Sequence, residues 1–116
     1  MIALPLHARI YAYVEPVDFR KSFDGLAALI DGTLGLVSTS GAIFLFLNRR
    51  ASQVKMLFWD RDGYGIVMKR LECGTFRRVG GESGVSSIEI ERVQLALLFD
   101  GIDAGVLRRR KRYSRQ

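Results

Sequence analysis

Apolar residues recur along the first part of the chain with two different periods. Residues 9–15 (Arg-Ile-Tyr-Ala-Tyr-Val-Glu) are rich in aromatic and β-branched side chains and stop at Pro16, which marks a first strand. Phe19, Phe23, Leu26, Ala27 and Ile30 then follow at i, i+4, i+7, i+8 and i+11. That spacing puts them on one face of a helix, with Asp18 available as its N-cap. Gly32 and Gly35 end the helix, and a Gly/Ser/Thr-rich connection leads to residues 42–47 (Ala-Ile-Phe-Leu-Phe-Leu). This unbroken apolar run is expected of a strand covered on both faces and placed centrally in a sheet.

Residues 54–59 read as a further strand. Asp60-Arg61-Asp62-Gly63 has the chemistry of a tight turn that reverses the chain into a strand at 64–71. Cys73-Gly74 turns toward a short strand at 75–79, a glycine-containing loop follows at 80–84, and residues 86–90 read as a short edge strand. Leu95, Leu98, Phe99 and Ile102 share the face of a second helix, with Gly101 suited to the position just past its end. The expected fold is α+β: an antiparallel meander of about four to six strands, with one helix before and one after, both packed on one face.

The 116 residues suffice for one domain with a sizeable core. The N-terminal residues lack the charged and apolar regions of a signal peptide, and no apolar run approaches the ~20 residues of a membrane helix. Cys73 is the lone cysteine, so no internal disulfide forms and a reducing, cytoplasmic setting is the expectation. Charge changes the picture more. Through Leu107 the chain holds twelve Lys/Arg and twelve Asp/Glu, so this body (1–107) is neutral. Arg108, Arg109, Arg110, Lys111, Arg112 and Arg115 supply the whole net charge of +6, so residues 108–116 read as a flexible basic tail. Inside the neutral body, residues 49–78 hold eight cations against Asp60, Asp62 and Glu72.

Several spaced motifs occur in one order. They are Asp18-Phe19-Arg20-Lys21-Ser22-Phe23-Asp24-Gly25-Leu26, then Phe46-Leu47-Asn48-Arg49-Arg50, then Lys55-Met56-Leu57-Phe58-Trp59-Asp60. Lys69-Arg70-Leu71-Glu72-Cys73-Gly74-Thr75-Phe76 follows, with Gln94-Leu95 and Leu98-Phe99-Asp100-Gly101-Ile102-Asp103 toward the end. Together they resemble the TnpB-type accessory proteins of the insertion sequence 66 family of bacterial transposable elements, over residues 9–103. The resemblance implies a protein encoded beside a separate transposase and assisting movement of the element, with no catalytic residues assigned. It implies neither the fold nor the activity of the much longer RNA-guided nucleases that share the name TnpB. The partners expected are the transposase of the same element and, from the basic clusters, DNA; the alternative reading is an interaction module that binds the transposase without touching DNA.

The candidate nucleic-acid contacts fall in three groups. Arg20 and Lys21 sit at the expected helix start, where the macrodipole disfavours cations and a phosphate would favour them. The competing reading pairs them with Asp24 or Glu15. Arg49, Arg50, Lys55, Lys69 and Arg70 belong to the sheet. Strand alternation puts Lys55, Leu57 and Trp59 on one face, so that cations and an aromatic ring could meet phosphates and bases. The competing reading packs Trp59 in the core and lets the cations reach water. Arg108, Arg109, Arg110, Lys111 and Arg112 form the third, sequence-independent group.

Enzymatic chemistry is hard to assemble from what remains. His7 is the lone histidine, so neither a Cys/His pair nor a zinc set exists, and no cofactor fingerprint is present. Asp18, Asp24, Asp60, Asp62 and Glu72 could bind magnesium only by converging in space. A calcium loop through Asp60 and Asp62 would put Phe58 and Lys69 at positions that demand acids. The apolar face of Leu95, Leu98 and Phe99 is read as core, with a contact to a partner or a homodimer as its alternative use.

Overall fold

A computed structural model describes residues 7–80 and 84–100, together with the backbone of 102–103 and 108–109. The elements in chain order are β1 (Ile10–Tyr13), α1 (Phe23–Gly32), β2 (Ile43–Leu47), β3 (Gln53–Asp60), β4 (Gly63–Arg70), β5 (Ser87–Ile90) and α2 (Arg92–Asp100). Two-residue strands β6 (Ile102–Asp103) and β7 (Arg108–Arg109) pair with each other. The expected basic tail thus begins with a paired backbone, and Arg110, Lys111 and Arg112 lie outside the described residues.

The α+β class is as expected, but the sheet is mixed rather than an antiparallel meander. Its order is β4-β3-β2-β1-β5, with β1 and β2 parallel and every other pair antiparallel. Because α1 is inserted between β1 and β2, the chain crosses back over the sheet and re-enters in the same direction, as a parallel pair requires. The β3–β4 hairpin closes on the two residues Arg61 and Asp62, with Arg61 taking the positive φ of 55° that the tight turn needs.

The helices pack on opposite faces, not on one. Ile43, Leu45 and Leu47 join Ile10, Val54, Met56 and Phe58 beneath Leu95 and Leu98 of α2. Phe44 and Phe46 point the other way, to Leu57 and to Leu26, Ala27 and Ile30 of α1. All five residues of β2 are buried, so large apolar side chains stand on both of its faces and each face needs a cover. Leu95 and Leu98 are core, which removes their face as a contact for another chain.

The expected strand at 75–79 forms no ladder. Phe76, 2% exposed, enters the core of the α2 side, and its N–H donates to the Ala51 carbonyl at 2.6 Å. α1 begins later than its apolar spacing implies. Asp18 caps a separate turn at residues 18–21, where the Lys21 N–H donates to the Asp18 carbonyl at 3.0 Å. Ser22 stands at the N-cap of α1 without a side-chain cap bond, and Phe23 is exposed. Arg20 and Lys21 therefore precede the helix rather than occupying its first turn. At the other helix, the Glu91 N–H donates to Gln94 Oε1 at 2.7 Å, the returning half of a capping box.

Candidate nucleic-acid interface

Two turns meet at one end of the sheet. The Val17 N–H donates to the Leu47 carbonyl at 2.9 Å, which draws residues 16–20 alongside the exit of β2. Between them and residues 48–50 lies a cleft of about 570 Å3. Arg20, Arg49 and Arg50 line it and are exposed, and exposed Lys21 follows Arg20 directly.

The β2–β3 turn is tightly specified. Asn48 Oδ1 accepts the Ser52 N–H at 2.9 Å and the Gln53 N–H at 3.0 Å, while Asn48 Nδ2 donates to Ser52 Oγ at 3.1 Å. Arg78 reaches in from the segment after β4 and donates to the carbonyls of Asn48 (2.9 Å) and Arg49 (2.5 Å). Ala51 adopts φ 55°, a left-handed conformation costly for a residue with a Cβ, and is held there with its side chain 5% exposed. Backbone polar groups are thereby satisfied, and the Arg49 and Arg50 side chains project from a rigid base. Among the described residues, neither has a carboxylate within ion-pair distance.

The 18–21 turn is organised by Asp18. Its carboxylate accepts the Arg20 backbone N–H at 2.9 Å and the Arg20 guanidinium at 2.6 to 3.1 Å. These bonds hold the Asp18 carboxyl down at about 2 and raise the Arg20 guanidinium above its ordinary value. The Arg20 side chain is 91% exposed, so the pair is a surface one that a phosphate can compete for. Lys21 lays its stem across Gly25, where an added Cβ would come within 3.1 Å of it.

Lys55 does not lie on an exposed sheet face. It shares the α1 face with Leu57, as alternation predicted, but that face is covered and Lys55 is 8% exposed. Its Nζ donates to the carbonyls of Phe19 (2.9 Å) and Lys21 (2.8 Å) and sits 4.8 Å above the Phe19 ring centre. Burial lowers its pKa. The ammonium is thus a fastener for the 18–21 turn. Lys69 Nζ donates to the Phe99 carbonyl in the last turn of α2, where the helix dipole favours a cation. Arg70 pairs with Glu72 at 2.8 Å in the open. Trp59 is half-buried, in an edge-on contact with Tyr64 at 5.0 Å.

Of the candidate cations, the structure therefore brings Arg20, Arg49 and Arg50 together at the cleft, with Lys21 beside Arg20 in the chain but outside the cleft lining. It directs Lys55 and Lys69 to backbone carbonyls. Side chains of Arg108 and Arg109 lie outside the described residues. Asn48 and Arg78, which shape the cleft, were not among the candidate contacts. Asn48 carried a turn signal at the strand end, whereas nothing local marks Arg78, thirty residues from the Asn48 carbonyl it holds. The acidic residues do not converge: among the described residues no three His, Cys, Asp or Glu side chains are grouped to hold a metal ion. No helix among them is long and apolar enough to cross a membrane.

A mixed sheet covered by one helix on each face, with arginines on ordered turns, describes a small α+β protein bearing a cationic cleft. The chain belongs to the IS66 Orf2-like family, whose sequence profile matches residues 8–109. The membership agrees with the spaced motifs and suggests an accessory role in transposition. Two similar proteins come from Sinorhizobium fredii (strain NBRC 101917 / NGR234). The uncharacterized protein y4jC is 33% identical over 95 residues, covering 82% of this chain and 80% of its own length. The uncharacterized protein y4hO is 32% identical over 97 residues, covering 84% and 83%. No solved structure matches.

Proposed function

We propose that the chain is a non-enzymatic accessory protein of transposition that binds DNA through the cleft between residues 16–20 and 48–50. Arg20, Lys21, Arg49 and Arg50 would contact phosphates, and Arg108, Arg109, Arg110, Lys111 and Arg112 would add sequence-independent attraction. The observation that carries this reading is the β2–β3 turn. Asn48 and Arg78 hold its backbone rigid and partly strained, while two adjacent arginines stand exposed with no carboxylate at ion-pair distance among the described residues. Phosphate contacts of this kind position a protein on DNA and release counterions. The transposase of the same element is the proposed protein partner of the folded body.

Fluorescence anisotropy with labelled duplex, using element ends and random sequence across a salt series, tests the proposal. Four phosphate contacts at the cleft should contribute about −3.6 to the slope of log K against log salt. Replacing Arg49 and Arg50 by Ala should reduce the slope by about 2 without altering the melting temperature. Removing residues 110–116, which carry four cations, should reduce it by about 3.6. An unchanged slope in the Arg49/Arg50 variant refutes the cleft as the interface. Capture of the transposase by a protein that retains no DNA would instead identify an interaction module.

A further inference from the structure

The two edges of the sheet are built differently. β5 is four residues long and carries Glu89, whose carboxylate lies 3.9 Å from Arg9. Short charged edges resist further pairing. β4 is eight residues long and pairs with β3 in an unbroken register from Asp60↔Gly63 to Gln53↔Arg70. No strand covers its other side among the described residues. It has no proline and no bulge, and its cations come only at its last two positions. The usual protections of an exposed edge are therefore missing.

The direction of its free backbone groups follows from the ladder. The Leu71 N–H donates to the Ser52 carbonyl at 2.8 Å, in the same register. By antiparallel alternation the odd-numbered residues of β4 bond to β3, and Tyr64, Ile66, Met68 and Arg70 turn N–H and C=O outward. The side chains of these four share the α1 side, where Tyr64 and Ile66 pack on the core while Met68 is 52% exposed.

We propose that this edge pairs antiparallel with the β4 edge of a second copy of the chain, about a two-fold axis at Ile66, so that the two sheets become one. The sequence of the edge is self-complementary in that register. Ile66 meets Ile66 of the second copy. Tyr64 meets Met68, which covers the exposed thioether with an aromatic ring. Asp62, the turn residue just before β4, comes level with Arg70, so the two-fold operation brings opposite charges together at each end of the new ladder. Shifting the axis to Val67 would instead set Asp62 opposite Glu72, two carboxylates facing each other. The test of this pairing needs no DNA.

Sedimentation equilibrium of the full chain should show a concentration-dependent mass rising to twice 13.1 kDa. Met68→Pro removes an N–H that points away from β3, so the β3–β4 ladder survives while two intermolecular hydrogen bonds are lost by symmetry. It should weaken the dimer by about 10- to 100-fold with an unchanged circular dichroism spectrum. Ile66→Cys in a Cys73→Ser background should oxidise to a disulfide-linked dimer, because facing hydrogen-bonded residues have Cα atoms about 5.5 Å apart. That cross-link decides the matter if Met68→Pro fails to fold. A mass of one chain at every concentration, or a dimer indifferent to Met68→Pro and uncross-linked by Ile66→Cys, overturns the proposal. So does occupation of the edge by another protein's strand when the chain alone stays monomeric.

Discussion

Substituting Lys55 by Met separates an anchoring lysine from a DNA-contacting one. The side chain keeps nearly its length and apolar stem, but the ammonium that bonds the Phe19 and Lys21 carbonyls at 2.9 and 2.8 Å is gone. Hydrogen bonds from charged donors contribute about 1.5–3 kcal/mol each, and the lost contact with the Phe19 ring adds about 0.5–1 kcal/mol. Two effects oppose this. The desolvation cost of a buried ammonium disappears, and the carbonyls sit in a surface turn where water can reach them. A net loss of about 2 kcal/mol results. With an unfolding entropy of roughly 0.24 kcal/mol/K for a chain of this length, the melting temperature should fall by about 8 °C. Thermal denaturation followed by circular dichroism measures the shift, and hydrogen exchange at residues 18–22 should accelerate beside it. DNA affinity should fall only as far as the Arg20–Lys21 turn loosens. An unchanged melting temperature together with a salt slope reduced by about 0.9 would mean that the ammonium meets a phosphate, and would refute the anchoring role.

Three further outcomes follow from the same geometry. The Asp18 carboxyl, held at about 2 against an ordinary 3.8, binds fewer protons in the folded than in the unfolded chain, so its stabilisation is present above pH about 4 and lost as pH falls toward 2. Asp18→Asn should flatten that part of the acid limb in pH-dependent unfolding and, by releasing Arg20, tighten duplex binding by roughly two- to fivefold at low salt. Gly65→Ala would bring a Cβ within 2.5 Å of the buried Phe58 ring, so urea denaturation should show a loss of about 1–3 kcal/mol. Asn48→Ala leaves the Ser52 and Gln53 N–H groups without their acceptor and should cost about 2 kcal/mol, with faster exchange at those two amides as the local signature.

Features governed by neighbours in the chain were legible in the sequence. The apolar run at 42–47 announced a strand covered on both sides, and β2 is buried throughout. Asp60-Arg61-Asp62-Gly63 announced a two-residue reversal, and β3 and β4 close on it. The spacing of Leu26, Ala27 and Ile30 defined the buried face of α1, and the spaced motifs led to the family. The cleft was half legible: Arg20, Arg49 and Arg50 were candidates, but nothing local said that they meet.

What the tertiary structure decided are the relations between distant segments. Burial on both sides of β2 was written in its residues, yet that the covers would be one helix per face followed only from the α1 crossover and the parallel β1–β2 pair. Lys55 shows the limit most clearly. Alternation placed it correctly on the face of Leu57, but a lysine on an open face and one beneath a turn have the same local sequence. Its acceptors lie 34 and 36 residues away, and only the packing that brings them to 2.8 and 2.9 Å makes the ammonium a structural bond instead of a free charge.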